Sequence, residues 1–172
     1  MLALTSCDAN QSSESYTGTN IEPPDPGDVM RCEEAGLEWH SGRKTYYTSY
    51  PEPGSDECEN FNGCHWEGLF AGCSGKRPEE WVAETDIVAV YPMFQELVHH
   101  ELCIRDPASG RVLVVNVIDT CNDDDCNGCC TQNQAHYDAL IDLEFYTNER
   151  WGLPDGELEW ADLGPRDEPI CP

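Results

Sequence analysis

The chain has 172 residues, 34 of them acidic against 9 basic, and a formal charge of -25. Such a surplus excludes a binder of phosphate backbones, which needs clustered Lys and Arg, and it repels anionic membranes and acidic wall polymers at long range. The length suits one domain with a real core, and eleven cysteines point to an oxidising compartment in which disulfides reinforce a loop-rich fold.

Residues 1–37 are expected to be a start signal and a tether. Met1 to Cys7 lacks a basic leader and is too short for a signal peptide or a membrane span. Leu4-Thr5-Ser6-Cys7 nevertheless resembles a bacterial lipobox, whose cysteine is lipidated after cleavage. Asp8 to Asp28 is rich in Ser, Thr, Pro and acids and has the composition of a disordered tether. Eleven cysteines less Cys7 leaves ten, an even number suited to five bridges. The competing use of cysteine is zinc, which wants two separated knuckles. Only Cys126-Asn-Gly-Cys129-Cys130 looks like one; Cys32, Cys58, Cys64, Cys73, Cys103, Cys121 and Cys171 are scattered. Disulfides are therefore expected over a metal.

Residues 38–172 hold the expected domain. Gly42 to Thr48 is rich in Thr and Tyr and suits a strand. Residues 51–80 are turn-rich. Thr85 to Tyr91 is an apolar run that suits a buried strand, and Pro92 ends or turns it. His99 to Arg105 and Val112 to Ile118 form a hairpin about the turn Asp106-Pro-Ala-Ser-Gly110. The second strand ends on Asp119, a cysteine-rich loop follows, and the chain returns through Leu140-Ile141-Asp142-Leu143. Phe145 to Trp151 is a short helix stopped by Gly152. Gly156 to Trp160 alternates charge with apolar bulk and makes a last strand. About six strands with one or two short helices favour a small closed barrel. An apolar run fixes the carboxylate at its end in space, so Asp119 and Asp142 stand apart from the other acids as candidate site residues.

The order of these segments resembles the six-stranded double-psi β-barrel of expansins, family-45 glycoside hydrolases, barwin-like proteins and rare-lipoprotein-A lytic transglycosylases. The resemblance covers Ser41 to Leu163. It rests mainly on Asp119 at a strand end, then Ile141-Asp142-Leu143-Glu144 entering a helix that closes at Arg150-Trp151-Gly152. It implies an all-β, disulfide-rich barrel with a polysaccharide groove across one face, lined by Thr45, Asp119 and Asp142. Thr48 competes with Thr45 by a small register shift. His136-Tyr137-Asp138 competes with Asp142, but only Asp142 is followed in phase by Leu143 and the helix.

Asp142, flanked by Ile141 and Leu143, is the natural acid, since desolvation raises a carboxyl pKa. Inverting glycosidases need a second carboxylate as base. The first strand, where the resemblance places it, reads Thr45-Tyr46-Tyr47-Thr48 and offers none; Asp119 is a possible substitute. The expectation is thus an expansin-like, non-hydrolytic protein that binds a neutral cell-wall β-glucan. Asp142 and Asp119 would hold the geometry, with contacts from Thr45 and from Tyr46 or Tyr47. The alternatives are a glycan-cleaving enzyme, either a β-1,4-glucanase or a peptidoglycan lytic transglycosylase, and a barwin-like binding or inhibitor module. Trp66, in a polar loop, is a candidate sugar platform, whereas Trp151 and Trp160 suit the core. Asp119 and Asp123 to Asp125 lie close in sequence, but the ligand spacing of a calcium loop is absent, so no metal and no cofactor is expected. The implied protein is a monomer, secreted or extracytoplasmic, with a possible lipid anchor at Cys7.

Overall fold

The computed structural model describes residues 23–33, 36–168 and 170–171. The lipobox-like start and Cys7 lie outside them. Six strands close one barrel: β1 (His40–Tyr47), β2 (Ile87–Tyr91), β3 (His100–Arg105), β4 (Val112–Thr120), β5 (Ala139–Glu144) and β6 (Gly156–Pro165). Their order around the barrel is β1-β5-β2-β4-β3-β6. β1 runs parallel to β5 and β2 parallel to β4, while the other pairs are antiparallel. This is the closed six-stranded barrel expected from the sequence, and closure leaves no free sheet edge.

Alternation along each strand sets what faces inward. Val88 and Val90 of β2, Val115 and Val117 of β4, and Ile141 and Leu143 of β5 fill the interior with Trp151, Leu158 and Trp160. Gly42 is the close-approach point. A Cβ there would lie 2.7 Å from the Leu158 side chain and 3.2 Å from that of Ile141, so any larger residue would push β1 off both neighbours.

Six short helices decorate the barrel among the described residues: α1 (Pro26–Cys32), α2 (Asp56–Asn60), α3 (Glu79–Glu84), α4 (Phe94–Leu97), α5 (Cys129–Gln134) and α6 (Phe145–Trp151). α6 is the helix expected from the sequence. The Glu144 carboxylate accepts the Tyr146 N–H at 2.7 Å to start it, and Gly152, with φ 68°, ends it in the left-handed region that glycine favours. α1 differs from the expectation of a tether. Asp25 caps it, Pro26 opens it, Asp28 accepts the Val114 N–H at 3.0 Å, and Cys32 is bonded to Cys103 of β3. Composition marked this stretch as tether because its anchors come from strands some 70 to 86 residues away in sequence.

Five disulfides join Cys32–Cys103, Cys58–Cys64, Cys73–Cys171, Cys121–Cys130 and Cys126–Cys129. They use every cysteine but Cys7 and fit an oxidising, extracellular setting. No helix among the described residues is long and apolar enough to cross a membrane.

Candidate functional site

The outer face of β1-β5-β2-β4 carries a row of residues at one level. Thr45 pairs with Asp142, Asp142 with Ala89, and Ala89 with Asp119. Residues paired across strands share a face, so these four side chains project together, away from Ile141 and Leu143. Asp119 joins the row through a bulge. Between Val88 and Ala89 the pairing with β4 slips by one, so that Val88 meets Val117 but Ala89 meets Asp119. Ile118 is the extra residue, and without it Asp119 would be out of phase with Asp142. Ala89 contributes only a methyl group and keeps the floor low between the two carboxylates.

Asp142 is the centre of the row. Thr45 donates its hydroxyl to the Asp142 carboxylate at 2.6 Å, which selects Thr45 over Thr48. Burial is the main cause that pushes the Asp142 carboxyl up to about 7; the Thr45 hydrogen bond and the Lys44 charge oppose it, and the negative charges of Glu57 and Asp155 add to it. Asp119 is raised by burial to about 6, held back by hydrogen bonds from the Ala71 and Thr120 N–H groups and by the Tyr47 hydroxyl beside it. Tyr47 lies two residues beyond Thr45, on the same face. Its hydroxyl is enclosed near Asp119 without a well-directed hydrogen-bond partner. Burial, then the charges of Asp119, Glu144 and Asp142, push this phenol well above its ordinary value.

Tyr46 falls out of this group. It is one residue out of phase, so it points to the opposite face of β1, where the ammonium of buried Lys44 lies 5.5 Å from its ring. Of the two tyrosines considered, strand phase therefore leaves Tyr47 at the row. The competing Asp138 is exposed and accepts the Ser41 N–H and hydroxyl, both at 2.8 Å, at the start of β1. It belongs to the β1–β5 junction and not to the row.

Sequence reasoning missed Glu57. It lies on α2, after β1, in a turn-rich stretch whose acids all look alike on paper. Asp56 and Glu59 of the same helix are exposed, while Glu57 turns inward. Its carboxylate accepts the Thr48 N–H, and burial raises it to about 7. Ser55 caps α2, the Gly63 N–H donates to the Glu57 carbonyl at 2.9 Å, and the neighbouring Cys58–Cys64 disulfide closes the loop. The pattern of one inward residue between exposed acids was the available signal, but a helix of five residues shows no periodicity.

Trp66 is 46% exposed, and its indole N–H donates to Asp125 at 3.1 Å. Asn62 donates to the same carboxylate at 2.9 Å. Trp66 thus stands where the loop after α2 meets the cysteine-rich loop that follows Asp119. Among the described residues, Cys121, Cys126, Cys129 and Cys130 form the grouping with metal-ligand spacing, and their sulfurs are spent in two disulfides. Two hollows lie elsewhere, about 280 Å³ at Lys44, Trp151 and Asp155 and about 480 Å³ at His99, Arg166 and Cys171. The row on the barrel face, which brings together two raised carboxyls and the Thr45 hydroxyl, is the candidate site.

Compared with solved structures, the chain is similar to the crystal structure of an apo expansin from Clavibacter michiganensis, at 16% sequence identity and a TM-score of 0.41. The match covers 77% of this chain and 52% of that one, so the chain spans about half the length of that structure. No family model matches the sequence, and no curated protein does.

Proposed function

We propose that the protein binds a neutral, β-linked cell-wall glucan along the row Thr45–Asp142–Ala89–Asp119 and loosens its packing, as an expansin-like protein. The observation that carries this reading is Asp142. It is a carboxyl held near half-protonation at neutral pH, fixed by the Thr45 hydroxyl at 2.6 Å, on an outer face of the barrel. In its acid form it donates a hydrogen bond to a sugar oxygen, which an ordinary surface carboxylate at that pH does not. The formal charge of -25 favours a neutral polymer over an anionic one. Trp66 at the rim supplies an exposed aromatic face for a pyranose ring.

The test is pull-down of the disulfide-intact protein by cellulose, mixed-linkage β-glucan, xylan and peptidoglycan, with cellulose-fibre loosening measured in parallel. The expected result is retention on a β-glucan that Asp142→Ala reduces at least tenfold. Retention on peptidoglycan alone, or an unchanged mutant, overturns the reading.

A further inference from the structure

Along the chain, Cys126-Asn-Gly-Cys129-Cys130 is a lone knuckle, one sulfur short of a tetrahedral metal site. Folding brings the fourth sulfur to it from Cys121, just past the end of β4. Among the described residues, the sulfurs of Cys121, Cys126, Cys129 and Cys130 all lie within 4.8 Å of one another. Cys126 and Cys130 are not bonded to each other, yet their Sγ atoms are 3.8 Å apart. A tetrahedral zinc with Zn–S bonds of about 2.3 Å sets its sulfurs about 3.8 Å apart. The Cys129 N–H also points at the Cys126 sulfur, at 3.2 Å. Such outer hydrogen bonds orient a metal-bound ligand.

The loop is not held by sulfur alone. The Asp123 carboxylate accepts the Thr131 N–H at 3.0 Å and its hydroxyl at 2.6 Å, and the Asp123 carbonyl accepts the Gly128 N–H at 2.9 Å. The hydroxyls of Tyr91 on β2 and Thr131 share a hydrogen bond at 2.8 Å. Asn62 and Trp66 tie Asp125 to the neighbouring loop. These bonds do not pass through Cys121–Cys130 or Cys126–Cys129, so opening both bridges leaves four thiols clustered. Three of the four residues are half-buried and Cys130 is buried, which leaves a way in for a reductant and a cation. The carboxylates of Asp123 and Asp125 are committed to their donors. The donor set is therefore sulfur, which selects soft cations over Ca²⁺ and Mg²⁺.

We propose that Cys121, Cys126, Cys129 and Cys130, in their thiol form, bind a single Zn²⁺ beside Asp119 at the end of the row. Every cysteine is synthesised as a thiol, so the chain passes through this form before its bridges close. A closed loop returns to it when a dithiol reduces both bridges. Each bridge takes two electrons and two protons and gives two thiols, while the dithiol becomes a disulfide. Zn²⁺ then displaces the four thiol protons to solvent and is held by four thiolates. Bridged sulfurs carry no charge, so the oxidised loop does not hold the cation. Zinc and the two loop bridges are alternatives at one place, whatever polymer the row binds.

The test reduces the full chain with a phosphine under nitrogen and titrates it with Co²⁺ and then Zn²⁺, while circular dichroism follows the barrel. The expected result is one Co²⁺ per chain with the visible spectrum of a tetrahedral tetrathiolate site, displaced by one Zn²⁺. The oxidised chain is expected to show no such spectrum. Cys126→Ser with Cys129→Ser, reduced in the same way, is expected to lose the spectrum and to bind Zn²⁺ roughly 100-fold more weakly. Cys58→Ser with Cys64→Ser removes a bridge outside the cluster and keeps the spectrum. No Co²⁺ bound, a spectrum of oxygen or nitrogen ligands, or equal binding by the oxidised chain overturns the proposal. A spectrum that survives the first double variant, or is lost in the second, does the same. So does a reduced chain that unfolds and that Zn²⁺ fails to refold.

Discussion

Two sets of carboxylates on this barrel behave in opposite ways. On the row of β1, β5 and β4 and on the neighbouring α2, Asp142, Asp119 and Glu57 are all pushed up, with burial the main cause. In the cysteine-rich loop beside it, Asp123 is held low, chiefly by the Thr131 hydroxyl and N–H. Asp125 is also held low, its burial outweighed by hydrogen bonds from Asn62, Trp66 and Asn122. Both sets lie on one strongly acidic protein, so net charge does not separate them. Enclosure with few donors favours the acid form, and abundant donors at the surface favour the anion. The first set is suited to giving and taking protons. The second sews a loop together and positions Trp66.

The largest expected effect is on binding. Asp142→Asn weakens retention on β-glucan at least tenfold, while Asp123→Asn changes it by no more than a single hydrogen bond would, about threefold. Equal losses would erase the distinction between the sets. The inward neighbour should respond through stability instead. Leu143→Ala costs about 2–5 kcal/mol in urea unfolding, as fully buried leucines do. A smaller cost would mean that Asp142 is not backed by packed core.

The loop is tested by removing its outer staple. Replacing both Cys121 and Cys130 with Ser lowers stability by about 2–3 kcal/mol on loop-closure grounds. Its effect on glucan binding is expected to be smaller than that of Asp142→Asn.

The pH dependence of stability separates the sets by sign. Asp119, Asp142 and Glu57 have folded pKa values of about 6, 7 and 7, above their unfolded ones. Their contribution is full below about pH 4 and is lost as pH rises through 6 to 7. Asp123 and Asp138 are depressed in the folded state, so theirs is present above about pH 4 and lost in stronger acid. Urea midpoints should therefore peak near about pH 4 and fall towards pH 7. Asp142→Asn should recover on the order of 2 kcal/mol at pH 8, allowing for its partial exposure. A wild-type stability that rises steadily to pH 8 would contradict the groove assignment. The smallest effect is at the rim, where Trp66→Ala weakens glucan binding about tenfold in a titration, and Asp125→Asn does so by less.

Much of the barrel was legible in the chain. The apolar runs at Thr85 to Tyr91, His99 to Arg105 and Val112 to Ile118 became β2, β3 and β4 with shifts of a residue or two. Phe145 to Trp151 became α6 without change. Alternation and turn chemistry are local, so they can be read without knowing the partners. α1 and Glu57 were not legible, because what orders them is distant in sequence. Val114 and Cys103 hold α1, and Thr48 holds Glu57. Nor could composition tell Tyr46 from Tyr47. One residue of strand phase places Tyr47 over the carboxylates and Tyr46 beside Lys44.

By itself the sequence determined a single disulfide-rich β-barrel, an even set of ten pairing cysteines, and two aspartates delivered at the ends of apolar runs. Periodicity and residue chemistry act over a few neighbours, and that range suffices for strands, turns and the flanks of Asp142. The tertiary structure alone decided that a bulge at Ile118 turns Asp119 into line with Asp142, that Ala89 lies low between them, and that a helix outside the barrel brings in Glu57. Those are consequences of register and closure, which depend on strands far apart in the chain meeting at a particular level.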